Sequence, residues 1–308
     1  MSMKQTLAIS PHIHSGRSTS RIMLDVLIAL LPATVAGAVI FGLRSLLVIG
    51  ICVAVCVGLE ALFNYLTKKE QTIGDLSAAV TGLLLGLNLP ANLPLWQCAV
   101  GSVFAIVVVK CLFGGIGQNL VNPAITARVF MLVAFGSMAT AAQPIIAADT
   151  VAGATPLSAE KMPSMLDLFL GLHGGAIGET CAAALLLGGV YLLIRRVITW
   201  QIPVVYIGSV FALSYLMEGF DPTYALALTL SGGLFIGAFF MATDYVTSPP
   251  TPWGKVIYAF GCGLLTVVIR KFGNYPEGVS FAILIMNIVN PYICVWTRHK
   301  VFGVGGAK

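Results

Sequence analysis

Long apolar runs divided by short polar segments make up most of this chain. A helix needs about 20 apolar residues to cross the hydrocarbon layer of a membrane. On that measure the runs predict spans at Ile22–Gly42, Ser45–Leu66, Leu76–Leu89, Leu95–Phe113, Ile125–Ala142, Cys181–Ile198, Ile202–Met217, Thr223–Thr243, Lys255–Ile269 and Val279–Thr297. The expected fold is an all-α polytopic membrane protein of about ten transmembrane helices. The third run is short and ends in Asn88-Leu89-Pro90, and the fifth follows Gly114-Gly115-Ile116-Gly117-Gln118-Asn119-Leu120-Val121-Asn122-Pro123. Both predict broken half-helices, because irregular backbone at membrane depth needs protein or a watery cavity to satisfy it.

Two short patterns recur in the same order. Gly82-Leu83-Leu84-Leu85-Gly86 matches Gly233-Leu234-Phe235-Ile236-Gly237, and Asn119-Leu120-Val121-Asn122-Pro123 matches Asn287-Ile288-Val289-Asn290-Pro291. Five spans in each half would invert the second copy across the membrane, an arrangement that places sites near the bilayer midplane. The expected organisation is an N-terminal arm over 1–21, a first repeat over 22–142, a loop over 143–180, a second repeat over 181–297 and a tail over 298–308.

Composition agrees with lipid as the main solvent. Hydrophobic residues make up 58% of the 308 and charged residues 9%, with a mean hydropathy of +0.94. A soluble domain carries roughly 25% charged residues. The formal charge of +5 is not a nucleic-acid signal, because the basic residues cluster at span ends, as membrane topology requires. With the N-terminus in the cytoplasm, the inside receives Lys4, Arg17, Arg21, Lys68, Lys69, Lys110, Arg195, Arg196, Lys255, Arg298, Lys300 and Lys308. The outside receives Arg44, Lys161, Arg270 and Lys271. Both termini are then cytoplasmic and the 143–180 loop is extracytoplasmic. The first run is too long for the core of a cleavable signal peptide.

Several chemistries find no support in the sequence. The cysteines, Cys52, Cys56, Cys98, Cys111, Cys181, Cys262 and Cys294, form no CxxC or ferredoxin-like run, which argues against an iron–sulfur cluster held by this chain alone. Most lie in apolar segments, so no structural disulfide is expected. No GxGxxG follows a strand and no P-loop is present, so neither a direct NAD site nor ATP is expected. His12 and His14 lack a third and fourth metal ligand; no metal site is expected.

Ionisable residues in the apolar runs carry more weight, because a carboxylate in lipid is costly unless it has a function or a partner. Glu60, Asp244 and Asp25 are candidates for a cation path. Asp25 also reads as a helix N-terminal acid favoured by the macrodipole, and Asp75 as a cap for the third helix. Arg128 can pair with a membrane carboxylate. Asn119 and Asn122 either hydrogen-bond a bound ring or cap helix ends. In the polar loop, Asp149-Thr150-Val151-Ala152-Gly153-Ala154-Thr155-Pro156 reads, taken bare, as a turn of small residues.

A resemblance sharpens this picture. It is carried by Ser10-Pro11-His12-Ile13-His14-Ser15, by the run Met23 to Pro32, by the run Asp75 to Leu85, by Gly114 to Asn119 with Asn122-Pro123-Ala124, by Phe239-Phe240-Met241-Ala242-Thr243-Asp244 and by Ser248-Pro249. In order along nearly the whole chain, these blocks resemble the D-subunit family of the Rnf electron-transport complex. The same family includes the B subunit of the sodium-pumping NADH:quinone reductase, which looks longer at its N-terminus. The resemblance implies an FMN phosphoester on Thr155, within a motif formed with Asp149, Gly153 and Ala154, attached outside the cytoplasm by a flavin transferase. Ala152 departs from the Ser or Thr usual in that motif. The resemblance also implies a second, noncovalent riboflavin, which we place near Asn119 and Asn122. It further implies partner subunits of the Rnf complex, including a second flavinylated subunit, and a role in redox-driven Na+ or H+ pumping at the bacterial cytoplasmic membrane. A non-redox channel or inverted-repeat secondary transporter is the alternative, and a structural anchor for soluble redox partners is a third reading.

Overall fold

The structure, a computed structural model, describes residues 18–139, 142–145, 164–273 and 278–298. Among these the chain is helical, with one isolated antiparallel bridge between Ala142 and Gly175. The long helices are α1 (Thr19–Phe41) and α2 (Leu43–Leu66). Next come α3 (Ser77–Leu87), α4 (Leu95–Cys111), α5 (Pro123–Ala134) and the short α6 (Met165–Leu170). The second half holds α7 (Ala182–Ile194), α8 (Gln201–Met217), α9 (Pro222–Leu230) and α10 (Leu234–Met241). It closes with α11 (Pro252–Phe272) and α12 (Val279–Trp296).

By length and composition, α1, α2, α11 and α12 are each able to cross a membrane. The bent pair α9 and α10 makes a fifth if counted as one span. At about 1.5 Å per residue, the 23 residues of α1 cover roughly 35 Å, and the 11 residues of α3 cover roughly 16 Å, half of a bilayer core. Two expected spans change shape. Thr223–Thr243 is not continuous: Ser231, Gly232 and Gly233 break it and the two pieces meet at 66°, with Gly232 at φ +71°. The expected Ile125–Ala142 span ends as a helix at Ala134, where Phe135 turns extended. Leu76–Leu89 is the short α3. Gly-rich 114–118 is irregular as expected, and Gly114, Gly115 and Gly117 all take positive φ, a conformation open to glycine at little steric cost.

The helix ends gather at two faces. At one, Ser20 Oγ donates to the Gly74 carbonyl (2.8 Å), Lys255 Nζ to Thr199 Oγ1 (3.1 Å), and Thr251 and Thr297 share a hydroxyl bond (2.7 Å). These contacts collect the start of α1, the end of α2, the α7–α8 turn, the start of α11 and the end of α12. Lys68, Lys69, Arg195, Arg196, Lys255 and Arg298 lie there. At the opposite face Arg44 donates to the Asn92 carbonyl (3.2 Å), and Lys271 to the Met217 carbonyl and Glu218. Among the described residues, these basic side chains therefore gather at two opposite faces.

The outer surface is apolar. Leu24, Ile28, Leu31, Val35 and Val39 form an exposed stripe at helical spacing along α1, a face suited to lipid. All four tryptophans are exposed and sit at helix ends, Trp96 before α4's second turn, Trp200 before α8, Trp253 at the start of α11 and Trp296 at the end of α12. Tryptophan favours that depth at a membrane interface. All seven cysteines are free thiols, as their scatter predicts.

Candidate functional site

A cavity of about 400 Å³ opens among the N-terminal half of α1, the start of α3, the end of α4, the segment before α5, and the ends of α7 and α10. That volume is within the range of small-molecule sites. Two unusual helix segments border it. The last part of α4, Phe104–Cys111, and the last part of α10, Gly237–Met241, are π-helical. Their wider turns rotate the side chains that follow relative to a continued α-helix, and such segments concentrate at functional sites. Lys110 and the pair Phe239 and Phe240 reach the cavity from these two segments.

Lys110 is 3% exposed. Its ammonium donates to both carboxylate oxygens of Glu60, at 3.0 and 2.8 Å, and to Ser77 Oγ at 2.5 Å. Glu60, equally buried, also accepts from Thr72 Oγ1 (2.7 Å), which accepts from Asn64 Nδ2 (2.9 Å). Ser77 in turn donates its hydroxyl to Asp75 (2.6 Å). The result is one directed chain in which every donor and acceptor near Lys110 is matched. Asp75 also accepts from the Ser77 backbone N–H (2.8 Å) and so caps the start of α3, as its position predicts. Sequence reading singles out Glu60 but treats Lys110 as a topology marker; their separation of 50 residues hides the pair. The available signal is a lone Lys inside the apolar run Phe104–Cys111.

Asp244 lies in the turn beyond α10, lines the same cavity and accepts from Thr247 Oγ1 (3.0 Å). Burial of its carboxyl pushes it above its ordinary pKa, and the hydrogen bond from Thr247 opposes that shift. Asn119 and Asn122 also line the cavity. Asn122 is the N-cap of α5: its oxygen accepts from the Ala124 N–H (3.0 Å), and its nitrogen donates to the Met241 carbonyl (3.3 Å). Asn119 donates its amide to the Val121 carbonyl (3.1 Å). The capping alternative thus describes Asn122. Asn287, which the recurring pattern aligns with Asn119, meets Asn122 directly. The orientation that satisfies its neighbours turns its nitrogen to Tyr258 Oη (2.6 Å) and its oxygen to the Asn122 N–H (3.2 Å).

Asp25 stands apart from the cavity's polar groups. Its carboxylate is held by Arg195 (3.3 Å) and accepts from Tyr191 Oη (3.0 Å). Arg128 does pair with a carboxylate. It is 3% exposed, donates to Asn88 Oδ1 (2.5 Å) and is bound to Glu179. Glu179 belongs by sequence to the polar 143–180 loop, yet it is also 3% exposed. The described end of that loop folds into the bundle, where His173, Glu179 and Thr180 are buried. A Cβ on Gly233 would lie 2.6 Å from the Glu179 carboxylate, so the glycine at the α9–α10 break lets the backbone close over the pair. Asp149, Ala152, Gly153, Ala154 and Thr155 lie outside the described residues, as do His12 and His14. No group of His, Cys, Asp and Glu able to hold a metal occurs among the described residues.

The cavity offers aromatic walls in Phe239 and Phe240, the oxygens of Ser77, Thr81 and Thr243, and one ammonium. Those hydroxyls donate inward, Thr81 to the Ser77 carbonyl and Thr243 to the Phe239 carbonyl. They therefore present lone pairs to an occupant. Such a lining suits an occupant that donates hydrogen bonds.

Comparison with known proteins bears on the whole chain. The model of the NQR2, RnfD, RnfE family matches residues 6–303. The chain is 48% identical to the D subunit of the Na(+)-translocating ferredoxin:NAD(+) oxidoreductase complex of Acetobacterium woodii, over 98% of this chain and 96% of that protein. It is 41% identical to the D subunit of the proton-translocating ferredoxin:NAD(+) oxidoreductase complex of Clostridium ljungdahlii, over 97% and 96%. Against the D subunit of the ion-translocating oxidoreductase complex of Stutzerimonas stutzeri the identity is 39%, over 93% and 92%. Near-complete coverage in each case shows that this chain is a member of the NQR2, RnfD, RnfE family.

Proposed function

We propose that this chain is the D-type membrane subunit of an ion-translocating ferredoxin:NAD+ oxidoreductase and carries flavin within it. The observation that supports this most is the cavity, which joins Lys110, Asn119, Asn122 and Asp244 around one space at the basic face, in a chain whose relatives are named as such subunits. A noncovalent flavin ring is our reading of the cavity's occupant, with Phe239 and Phe240 beside it and the hydroxyl oxygens of Thr81 and Thr243 accepting from its N–H. Flavins bring one-electron exchange when bound; the residues here bind, orient and shield the ring. A covalent FMN on Thr155, attached by a flavin transferase, completes the electron route toward partner subunits, one of them flavinylated like this one. NAD and ferredoxin are handled by those partners.

Ten spans in two inverted five-helix units remain our reading of the topology. In its favour, Gly82–Gly86 falls in α3 and Gly233–Gly237 at α10, each the half-helix of its own half. The Asn-Pro pairs differ in place: Asn122-Pro123 opens α5, whereas Asn290-Pro291 lies inside the last turns of α12. The basic face is then cytoplasmic, with both termini on that side in the bacterial inner membrane. Glu60 and Asp244 line the route by which Na+ or H+ reaches the redox site, with Asp25 at its margin.

The test is flavin fluorescence of the denatured chain after coexpression with an active flavin transferase. Wild type should fluoresce and Thr155→Ala should not. Dark wild type, with the transferase active on another substrate, would reject the covalent flavin and favour a non-redox transporter or an anchor.

A further inference from the structure

Three cations gather at one place on the basic face: Arg195 and Arg196 in the turn between α7 and α8, and Lys255 in the first turn of α11, which bonds to that turn. We propose that this turn binds the phosphate of an anionic phospholipid, whose acyl chains lie on the outward faces of α8 and α11.

The charge there is not cancelled by the acids nearby. Lys255 Nζ reaches Thr199 Oγ1 (3.1 Å), a neutral partner, so the ammonium keeps its charge and has further donors for an incoming oxygen. Asp25 is taken by Arg195 and Tyr191. Asp244 lines the cavity and accepts from Thr247. Arg196, just past the cap of α7, is exposed and takes φ +54°, a conformation in which glycine is usual. Arginine keeps a cation at a position that the backbone alone would give to glycine. The start of α8 adds to the same place. Its N-cap, Trp200, makes no side-chain cap, which leaves first-turn amides of α8 without a side-chain acceptor, within two residues of Thr199.

The surface beneath the cations is apolar. Trp200 and Trp253, 60% and 74% exposed, flank the turn at the depth tryptophan favours in a membrane interface. From Trp200 the exposed face continues to Val204 along α8, and from Trp253 to Ile257, Phe260 and Leu264 along α11. The two helices are packed together, with Tyr206 and Thr266 sharing a hydroxyl bond (2.8 Å), so their outward faces adjoin. A soluble acidic protein matches the cations but not the apolar surface below them. A phospholipid with an anionic head matches both, whereas a zwitterionic head brings a second cation that the cluster repels. Basic residues at the membrane surface attract anionic lipid at about 1 kcal/mol each, roughly fivefold in affinity.

The test uses the full-length chain in mixed vesicles of phosphatidylcholine and phosphatidylglycerol, with bromine on the acyl chains of one lipid or the other. Bromine quenches tryptophan on contact. One form of the chain keeps Trp200 and another keeps Trp96, at the opposite face, with the remaining tryptophans replaced by Phe. We expect phosphatidylglycerol to be favoured over phosphatidylcholine about fivefold or more at Trp200, and far less at Trp96. The double variant Arg196→Gln/Lys255→Gln should lower the ratio at Trp200 to that at Trp96, and Lys255→Arg should retain it. Unchanged quenching of Trp96 in the double variant shows that the chain still folds. The same preference at Trp200 and Trp96 would mean that charge acts diffusely, and would overturn the site. In the purified complex, phosphatidylglycerol retained after detergent washing is measured by mass spectrometry in wild type and the double variant. It should fall in the double variant. Equal retention would leave this face to a partner subunit and overturn the site as well.

Discussion

Removal of Glu179's charge should be among the most damaging single changes in the bundle. Glu179→Gln keeps the side chain's size and removes the carboxylate bound to Arg128, which also donates to Asn88. Removing one partner of a buried ion pair costs about 3–5 kcal/mol. At about 1.4 kcal/mol per tenfold, the folded-to-unfolded ratio falls by roughly 10²- to 4000-fold. Gly233 closes over the pair with no space for an added atom, so water cannot readily replace the lost charge. A thiol-reactive dye provides the assay: Cys52, Cys56, Cys98, Cys111 and Cys262 are buried free thiols that react when the bundle opens. Thermal melts of Glu179→Gln, Arg128→Met and the double variant form a double-mutant cycle. The double variant should be more stable than either single one, limited mainly by Asn88 losing its donor, at about 1–3 kcal/mol. Strict additivity of the two single losses would refute the ion-pair account and leave only packing.

Four further outcomes follow. Gly188→Val should cost about 1–3 kcal/mol by overpacking, since a Cβ there would lie 2.0 Å from the Ala29 carbonyl oxygen where α7 crosses α1. Gly50→Ala, with nothing within 4 Å of its Cβ, should stabilise α2 by about 0.5–1 kcal/mol in the same melts. Asn122→Ala should lose about 0.5–2 kcal/mol from the α5 cap, and Asn122→Asp, which keeps the capping oxygen, should recover most of it. Burial lowers the pKa of His173, so its neutral form belongs to the fold. The unfolded chain binds the proton first as pH falls below about 6.5, and stability should decline from there toward the lower folded value. His173→Gln should flatten that slope between pH 7 and 5; an unchanged slope would assign it to other groups.

What was legible in the sequence follows from the range of the interactions involved. The helices α1, α2, α11 and α12 are set by hydropathy over about 20 residues, and they form close to where the runs place them. The Gly-rich 114–118 segment and the Asp75 cap are local and also emerge as read. The break in Thr223–Thr243 was averaged away by a hydropathy window, although Ser231-Gly232-Gly233 carried the signal. The ion pairs were half visible. Glu60 and Arg128 stand out as charges in apolar runs, but Lys110 and Glu179 lie 50 and 51 residues from them. No local periodicity connects such positions. Glu179 was further concealed by the polar composition of the loop before it, whose last residues pack inside the bundle. The cavity was legible only in part. Asn119, Asn122 and Asp244 belonged to separate motifs, and nothing short of the fold shows that they face one space with Lys110.

The two buried pairs make a useful contrast. Both join a base and an acid at about 3% exposure. Arg128 is held by Asn88 and Glu179 beneath the backbone at Gly233, where an added Cβ would meet the Glu179 carboxylate. Its guanidinium is a planar fork with little freedom once bonded, which suits a fixed tie between α5 and the chain leading into α7. Lys110 stands at the edge of a cavity on a flexible stem, placed there by a π-helical segment that interrupts α4. Access separates the pairs more than strength does. A closed pair can only stabilise or specify the fold, whereas a pair beside a cavity is exposed to whatever charge enters it.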